Sequence, residues 1–183
     1  PRLPAVRIVV HPTGQPVNAD DAVAQAVHAQ VLEGWRPDDD ARTALTAFAT
    51  GALGRGEYIA AAVAAARTVD PSEQRPRLLR RYRPSYVRGT TLLRNGIGVA
   101  NPVALAEAEH RVCAARLVEI HLGAVAPDVP LVASVHQHLF GDVYPWAGQQ
   151  RIVDLRKADA RFLPVPRLAA RMAALEDAVT TVG

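Results

Sequence analysis

The feature that most restricts the fold of this chain is a long helical run that begins at Asn101 and ends at Gly123. Asn101 can cap the first turn, and Pro102 is tolerated within it. Glu107 and Arg111, four positions apart, predict an ion pair on the exposed face. Apolar residues recur at three- and four-residue intervals and predict one buried face; they are Leu105, Ala108, Val112 and Ala115. The run predicts a mainly α-helical protein.

Three shorter helical patterns precede this run, over residues 18–34, 38–51 and 57–67. Asparagine or acidic residues near each start suit the positive end of a helix, and glycine follows the first two patterns. Their short connections predict an antiparallel three-helix unit over residues 18–69. Because so small a unit is marginally stable alone, we expect it to lie against the rest of the protein.

Two further segments are interpreted as a tail (residues 1–17) and an arginine- and proline-rich linker (residues 70–85). Seven arginines fall between Arg75 and Arg94. They are typical either of a solvated linker or of a basic surface for phosphate or an acidic partner. Few aromatic residues lie among them and the net charge is only +3, so nucleic acid is not favoured as a partner.

Membrane and redox chemistry are not indicated by the sequence. No apolar run approaches the roughly 20 residues that cross a bilayer, so we expect a cytoplasmic protein without a membrane partner. Cys113 is the sole cysteine, which excludes an intrachain disulfide. Its place in a helical pattern favours a buried, inert thiol.

After the long run, the sequence predicts a short helix, a β-hairpin and a last helix. Residues 131–140 have one apolar face, residues 151–156 alternate as a strand does, and residues 161–164 return after a turn. His136 and His138 point in different directions on a helix, so packing histidines are favoured over a metal pair. From Pro166 a helical stripe is expected to be core; it comprises Leu168, Met172, Leu175 and Val179.

Within this region the sequence HQHLFGDVYPWAGQQR, at residues 136–151, is followed by VDL and then by Lys157. It resembles the pattern IHxxLFxDVYxWAGxxR…VDIxK of the Fic domain family. Residues 94–117 resemble that family's upstream segment, LxNKLGIxDPxxLxxxE. The resemblance covers about residues 86–175. It implies an incomplete Fic-like helical bundle with a small β-hairpin flap, in which residues 86–183 are the N-terminal part of a Fic domain.

This resemblance also implies an activity. Most Fic proteins transfer AMP from ATP to a hydroxyl group of a target protein, and the complete domain is expected to use ATP and magnesium. The family's chemistry is carried by the motif HPFxxGNGR, which the 183 residues do not contain. No catalytic residue and no metal ligand is therefore assigned to this chain. The alternative is a non-catalytic, Fic-like binding or regulatory module.

By the same resemblance, the flap docks the target protein by strand pairing. The predicted docking strand comprises Arg151, Ile152, Val153, Asp154 and Leu155. Lys157 and Ala158 occupy the lysine–glycine positions beside the nucleotide, with alanine in place of glycine. A solvated surface position stays open as the alternative for Lys157, and self-association of the chain stays open too.

The three-helix unit acquires an inhibitory interpretation from the same family. Fic proteins are often inhibited by a helix with the pattern S/T-x-x-x-E-G/N, and residues 29–34 match it except at Ala29. Glu33 and Gly34 are then the predicted inhibitory residues, and residues 18–69 form an antitoxin-like helical unit. The alternative is an ordinary helix end, with Glu33 exposed and Gly34 as the residue that ends the helix.

Overall fold

The computed structural model describes residues 18–68, 86–87, 92–123, 131–154, 156–157 and 160–181. This part of the chain is mainly helical, as predicted. Its elements are α1 (Ala19–Leu32), α2 (Asp39–Ala49), α3 (Arg55–Arg67), α4 (Pro102–His121), α5 (Leu131–Phe140), β1 (Arg156–Lys157), β2 (Ala160–Arg161) and α6 (Val165–Thr181). The predicted tail and linker lie outside the described residues. None of the helices described is long and apolar enough to cross a membrane.

Side-chain caps begin three of the helices where the sequence predicts them. Asn18, Asp38 and Asn101 each accept backbone N–H groups of the following first turn, at 2.7 to 3.2 Å. Helix α3 instead begins two residues before the predicted Glu57. The reason is that the Glu57 carboxylate reaches back and accepts the N–H of Gly54 at 2.9 Å, which closes a turn ahead of it.

Helix α4 lies at the centre of the described fold. Helices α1, α2 and α3 all pack on it, and so does α5. Their buried apolar side chains form one core, which includes Ala26, Leu45, Ala62 and Val112. The prediction of a single buried face on α4 is therefore too narrow, since residues 112–116 are buried in succession. The three-helix unit lies against the rest of the protein, as predicted.

The predicted hairpin is present, but its pairing begins later than expected. β1 and β2 are antiparallel and have two residues each. Residues 151–154, predicted as strand, lie ahead of β1 in a bend. The cause is a side chain: the Arg151 guanidinium donates to the carbonyl oxygens of Val153 and Leu163, and so occupies backbone acceptors.

Helix α6 departs from the prediction that its stripe is core. Leu168 and Met172 are half-buried, and Leu175 is 47% exposed. The side chain of Val179 lies outside the described residues. The described element that packs against α6 is α5. Because α5 has 10 residues and α6 has 17, α5 is too short to cover the stripe along its length.

Candidate functional site

Helix α1 ends in the motif that predicts an inhibitory residue. The chain leaves the helix through Gly34, whose φ of 100° favours glycine. The N–H groups of Glu33 and Trp35 both donate to the carbonyl oxygen of Gln30, at 3.1 and 3.0 Å. Gly34 therefore ends the helix and Glu33 is exposed, as expected for an ordinary helix end. An inhibitory carboxylate must also be accessible, so the exposure of Glu33 fits both interpretations. We refer to Leu32, Glu33 and Gly34 as the Glu33 tip.

Buried side chains fix the chain on both sides of the Glu33 tip. Trp35 Nε1 donates to Glu107 Oε2 at 3.1 Å, and the buried indole stacks on His110 with ring centroids 6.2 Å apart. Gln30 Oε1 lies 2.8 Å from His110 Nδ1. Arg111 Nε donates to Glu107 Oε1 at 2.6 Å. This predicted ion pair forms, but its side chains are only 23% (Glu107) and 11% (Arg111) exposed, because α1 and α2 cover them.

The Glu33 carboxylate is unpaired within the described part of the chain. The cation nearest to it in sequence is Arg36. Its Nη1 donates to the carbonyl oxygens of Trp35 and Val31, at 2.9 and 3.4 Å. This guanidinium thus compensates the partial negative charge at the C-terminal end of α1 and does not pair with the Glu33 carboxylate. Among the described residues, no cation compensates the negative charge that the tip presents to solvent.

Four of the five predicted docking residues are described, and their side chains have different roles. Arg151 turns inward onto the flap backbone, with Nη1 2.8 Å from the carbonyl oxygen of Val153. Asp154 Oδ1 accepts the N–H of Val165 at 2.8 Å, at the start of α6. The Ile152 side chain is 75% exposed. Arg151 and Asp154 therefore brace the flap, whereas Ile152 points outward.

The remaining flap predictions stay predictions. Leu155 and Ala158 lie outside the described residues. Lys157 is paired with Ala160 in the hairpin, and its side chain is not described. Among the residues that are described, no group of three or more histidine, cysteine, aspartate or glutamate side chains could hold a metal ion.

The two segments that carry the sequence motif meet in the structure. The indole N–H of Trp146, in the turn before the flap, donates to the carbonyl oxygen of Arg94 at 3.2 Å. The N–H of Gly96 donates to the carbonyl oxygen of Val143 at 2.8 Å. The loop before α4 and the turn before the flap are thus held together by one side-chain-to-backbone and one backbone-to-backbone hydrogen bond.

Both histidines of α5 are packing residues, as predicted. His136 Nδ1 accepts the N–H of Gly148 at 2.8 Å, and its ring packs against Phe140 and Trp146. Burial lowers the pKa of His136, which favours the neutral imidazole that this hydrogen bond needs. His138 Nε2 lies 3.1 Å from the carbonyl oxygen of Arg116.

The prediction of a buried thiol is confirmed. Cys113 is buried, and burial raises the pKa of its thiol to about 12, with a smaller contribution from the charge of Glu109. At neutral pH the thiol is therefore protonated and is a poor nucleophile.

Sequence reasoning missed a buried ion network beneath the turn, and it missed Trp35. Arg116 is almost fully buried and pairs with Glu119 at 2.7 Å and with Asp142. Asp142 also accepts from Arg55 at 3.0 Å, so one carboxylate joins α3, α4 and the turn. Arg116 falls in the stretch that resembles the upstream Fic segment, but the sequence alone does not show that its guanidinium is buried. For Trp35 a signal exists, since a tryptophan in a short polar connection indicates burial.

Comparison with known families places the N-terminal unit. Residues 20–65 match the family model described as Antitoxin VbhA. The matched range contains nearly all of α1 and all of α2, as well as most of α3. The Glu33 tip lies inside it.

Curated relatives match part of the chain. A probable protein adenylyltransferase Fic of Salmonella typhimurium is 34% identical over 79 residues, which are 43% of this chain and 40% of the relative. A protein of the same name from Escherichia coli is 30% identical over 79 residues, with the same coverage. The protein adenylyltransferase VbhT of Bartonella schoenbuchensis is 31% identical over 75 residues, 40% of this chain and 16% of VbhT.

The chain spans about two fifths of the length of the two relatives called Fic. No solved structure matches it. The chain thus contains an antitoxin-like unit and is similar over part of its length to Fic adenylyltransferases.

Proposed function

We propose that this chain is the N-terminal part of a Fic-type protein adenylyltransferase, which transfers AMP from ATP to a hydroxyl group of a target protein and is held inactive by its antitoxin-like helix. The observation that carries the proposal is the Glu33 tip. In a unit that matches an antitoxin, the Glu33 carboxylate is exposed at the end of α1, with no partner among the described residues. That unit packs on α4 of the same chain.

The inhibition rests on charge. The phosphates of ATP are anionic, and two unit charges 4 Å apart repel by about 4 kcal/mol at an effective dielectric constant of 20. In the Fic family, arginines of the motif HPFxxGNGR hold these phosphates. Glu33 would pair with one of them and exclude the terminal phosphate. Removal of the carboxylate would free that arginine for ATP.

The flap has the second role in the proposal. A target segment would add a strand at the hairpin edge, and the exposed Ile152 side chain would contact it. Arg151 and Asp154 keep the flap in place. Lys157 would lie beside the nucleotide. The catalytic histidine and the magnesium ligand would come from the HPFxxGNGR motif, so the proposal requires that the encoded protein carry this motif.

The experiment compares the encoded full-length protein with its Glu33→Gly and Glu33→Gln variants. Transfer of label from α-labelled ATP to protein is expected to rise by about tenfold or more in both, since a 1.4 kcal/mol loss of inhibition is tenfold in rate. Asp21→Asn is the matched control, because it removes an exposed acidic charge at the other end of α1. It should leave the rate unchanged.

Two results would contradict the proposal. Equal transfer by the wild-type protein and both Glu33 variants would exclude the inhibitory role. An encoded sequence without HPFxxGNGR would exclude the enzymatic role and favour a non-catalytic binding or regulatory module.

A further inference from the structure

One face of α4 contacts the chain before and after the Glu33 tip. Glu107, His110 and Arg111 are spaced at i, i+3 and i+4, so their side chains lie on the same side of the helix. His110 contacts Gln30 and stacks on Trp35, and Glu107 accepts from Trp35. We refer to Glu107, His110 and Arg111 as the α4 clamp.

The clamp extends to the start of the next helix. The two oxygens of Glu107 have separate partners, because Oε2 accepts from Trp35 and Oε1 accepts from Arg111. Arg111 Nη2 in turn lies 3.3 Å from Asp38 Oδ2. Asp38 also caps α2 through its other oxygen. The orientation of the Glu107 carboxylate is therefore fixed from both sides.

We propose that Gln30 and Trp35 are positioning residues, which hold the Glu33 tip on the α4 clamp and so set the place of the inhibitory carboxylate. Gln30 lies three residues before Glu33, and Trp35 lies two residues after it. A segment pinned this closely at both ends has little backbone freedom. The consequence for inhibition rests on the function proposed above, whereas the immobilisation of the tip does not.

Immobilisation matters because Glu33 is exposed. A carboxylate on a free chain end samples a wide volume, and its effective concentration at any one point is low. A carboxylate on a fixed tip avoids that loss. Release of Trp35 and Gln30 is therefore expected to weaken inhibition although neither side chain carries the inhibitory charge.

A purely structural role for these contacts predicts a different result, and Tyr58 provides the matched control. The Tyr58 hydroxyl, which is buried, donates to the carbonyl oxygen of Arg111 at 3.0 Å. Tyr58→Phe thus removes one hydrogen bond between the same N-terminal unit and the same helix, but away from the tip. Trp35→Phe also removes a single donor and keeps an aromatic ring, but it leaves part of the buried indole's volume empty.

The experiment measures amide hydrogen exchange in the encoded full-length protein. Exchange at positions 34 and 35, whose N–H groups donate to Val31 and Gln30, is expected to be about tenfold faster in Trp35→Phe and in Gln30→Ala, and unchanged in Tyr58→Phe. If Trp35→Phe does not fold, Gln30→Ala decides alone, since it deletes only one amide group. Unchanged exchange in the tip variants, or equal acceleration in Tyr58→Phe, overturns the proposal.

Label transfer separates this proposal from the proposed function. Transfer should rise several-fold in Trp35→Phe, and the double variant with Glu33→Gly should not exceed Glu33→Gly alone. A double variant that exceeds it shows that Trp35 does not act through Glu33, and this overturns the positioning role. If Glu33→Gly leaves transfer at the wild-type rate while exchange at the tip still accelerates in Trp35→Phe, the inhibitory function fails and the immobilised tip stands.

Discussion

Replacement of Asp142 by alanine is expected to lower the free energy of unfolding by about 3 kcal/mol. Asp142 pairs with Arg116, whose side chain is only 4% exposed, so its loss leaves a buried guanidinium short of a partner. The value is the lower end of the roughly 3–5 kcal/mol for breaking a buried pair, because Glu119 still lies 2.7 Å from Arg116. For a chain of this size, the melting temperature should fall by about 6–12 °C.

The control for this prediction is Arg55→Ala, which removes the exposed member of the same network. Arg55 is 58% exposed and lies 3.0 Å from Asp142, and exposed ion pairs contribute about 0.2–1 kcal/mol. Urea denaturation, followed by circular dichroism, measures both variants. Equal losses in the two variants, or a loss below about 1 kcal/mol for Asp142→Ala, would show that burial of Arg116 does not set the magnitude.

Two further predictions concern the turn before the flap. Gly148→Ala is expected to lower the free energy of unfolding by about 2 kcal/mol, because φ is 79° and a Cβ would lie 2.6 Å from Gln137 Oε1. The control is Gly56→Ala, whose Cβ would meet open space, so it should be neutral or slightly stabilising. Melting temperatures of the two variants distinguish these outcomes. The pKa of His136 is lowered in the folded state. The contribution of neutral His136 to the free energy of unfolding should therefore be complete above its unfolded pKa of about 6.5, and it should be lost as the pH falls through the lower folded value. Urea denaturation at about pH 8 and pH 5 tests this, and His136→Gln should remove that part of the pH dependence.

The starts of most helices could be predicted from the sequence because their signals are local. Asn18, Asp38 and Asn101 bond N–H groups at most three residues away, so no tertiary contact is needed to recognise them. The predicted start of α3 at Glu57 was wrong because the Glu57 carboxylate accepts an N–H group that lies earlier in the chain. An acidic residue in the third helical position and one at the first position look alike in sequence.

The predictions that failed, and the contacts that were missed, depend on how separate elements pack in three dimensions. Trp35 and Glu107 are separated by 72 residues, and no periodic pattern links them. Alternation over residues 151–156 suggested a strand, but it could not show that Arg151 would bond the backbone on the other arm of the flap. The stripe of α6 has helical spacing, yet its burial depends on how much of it α5 can cover.

Helix α4 connects the two regions on which the proposed function depends. Successive residues of a helix are about 100° apart, so Arg116 lies on a different side of α4 from the α4 clamp and holds Asp142 ahead of the flap. Because α1 and α4 share one core, detachment of the whole N-terminal unit would expose apolar surface on both. A local opening of the Glu33 tip breaks the bonds of Trp35 and Gln30 and exposes one buried indole, which is far less apolar surface than the whole core. If Glu33 inhibits, its release is therefore expected to be local.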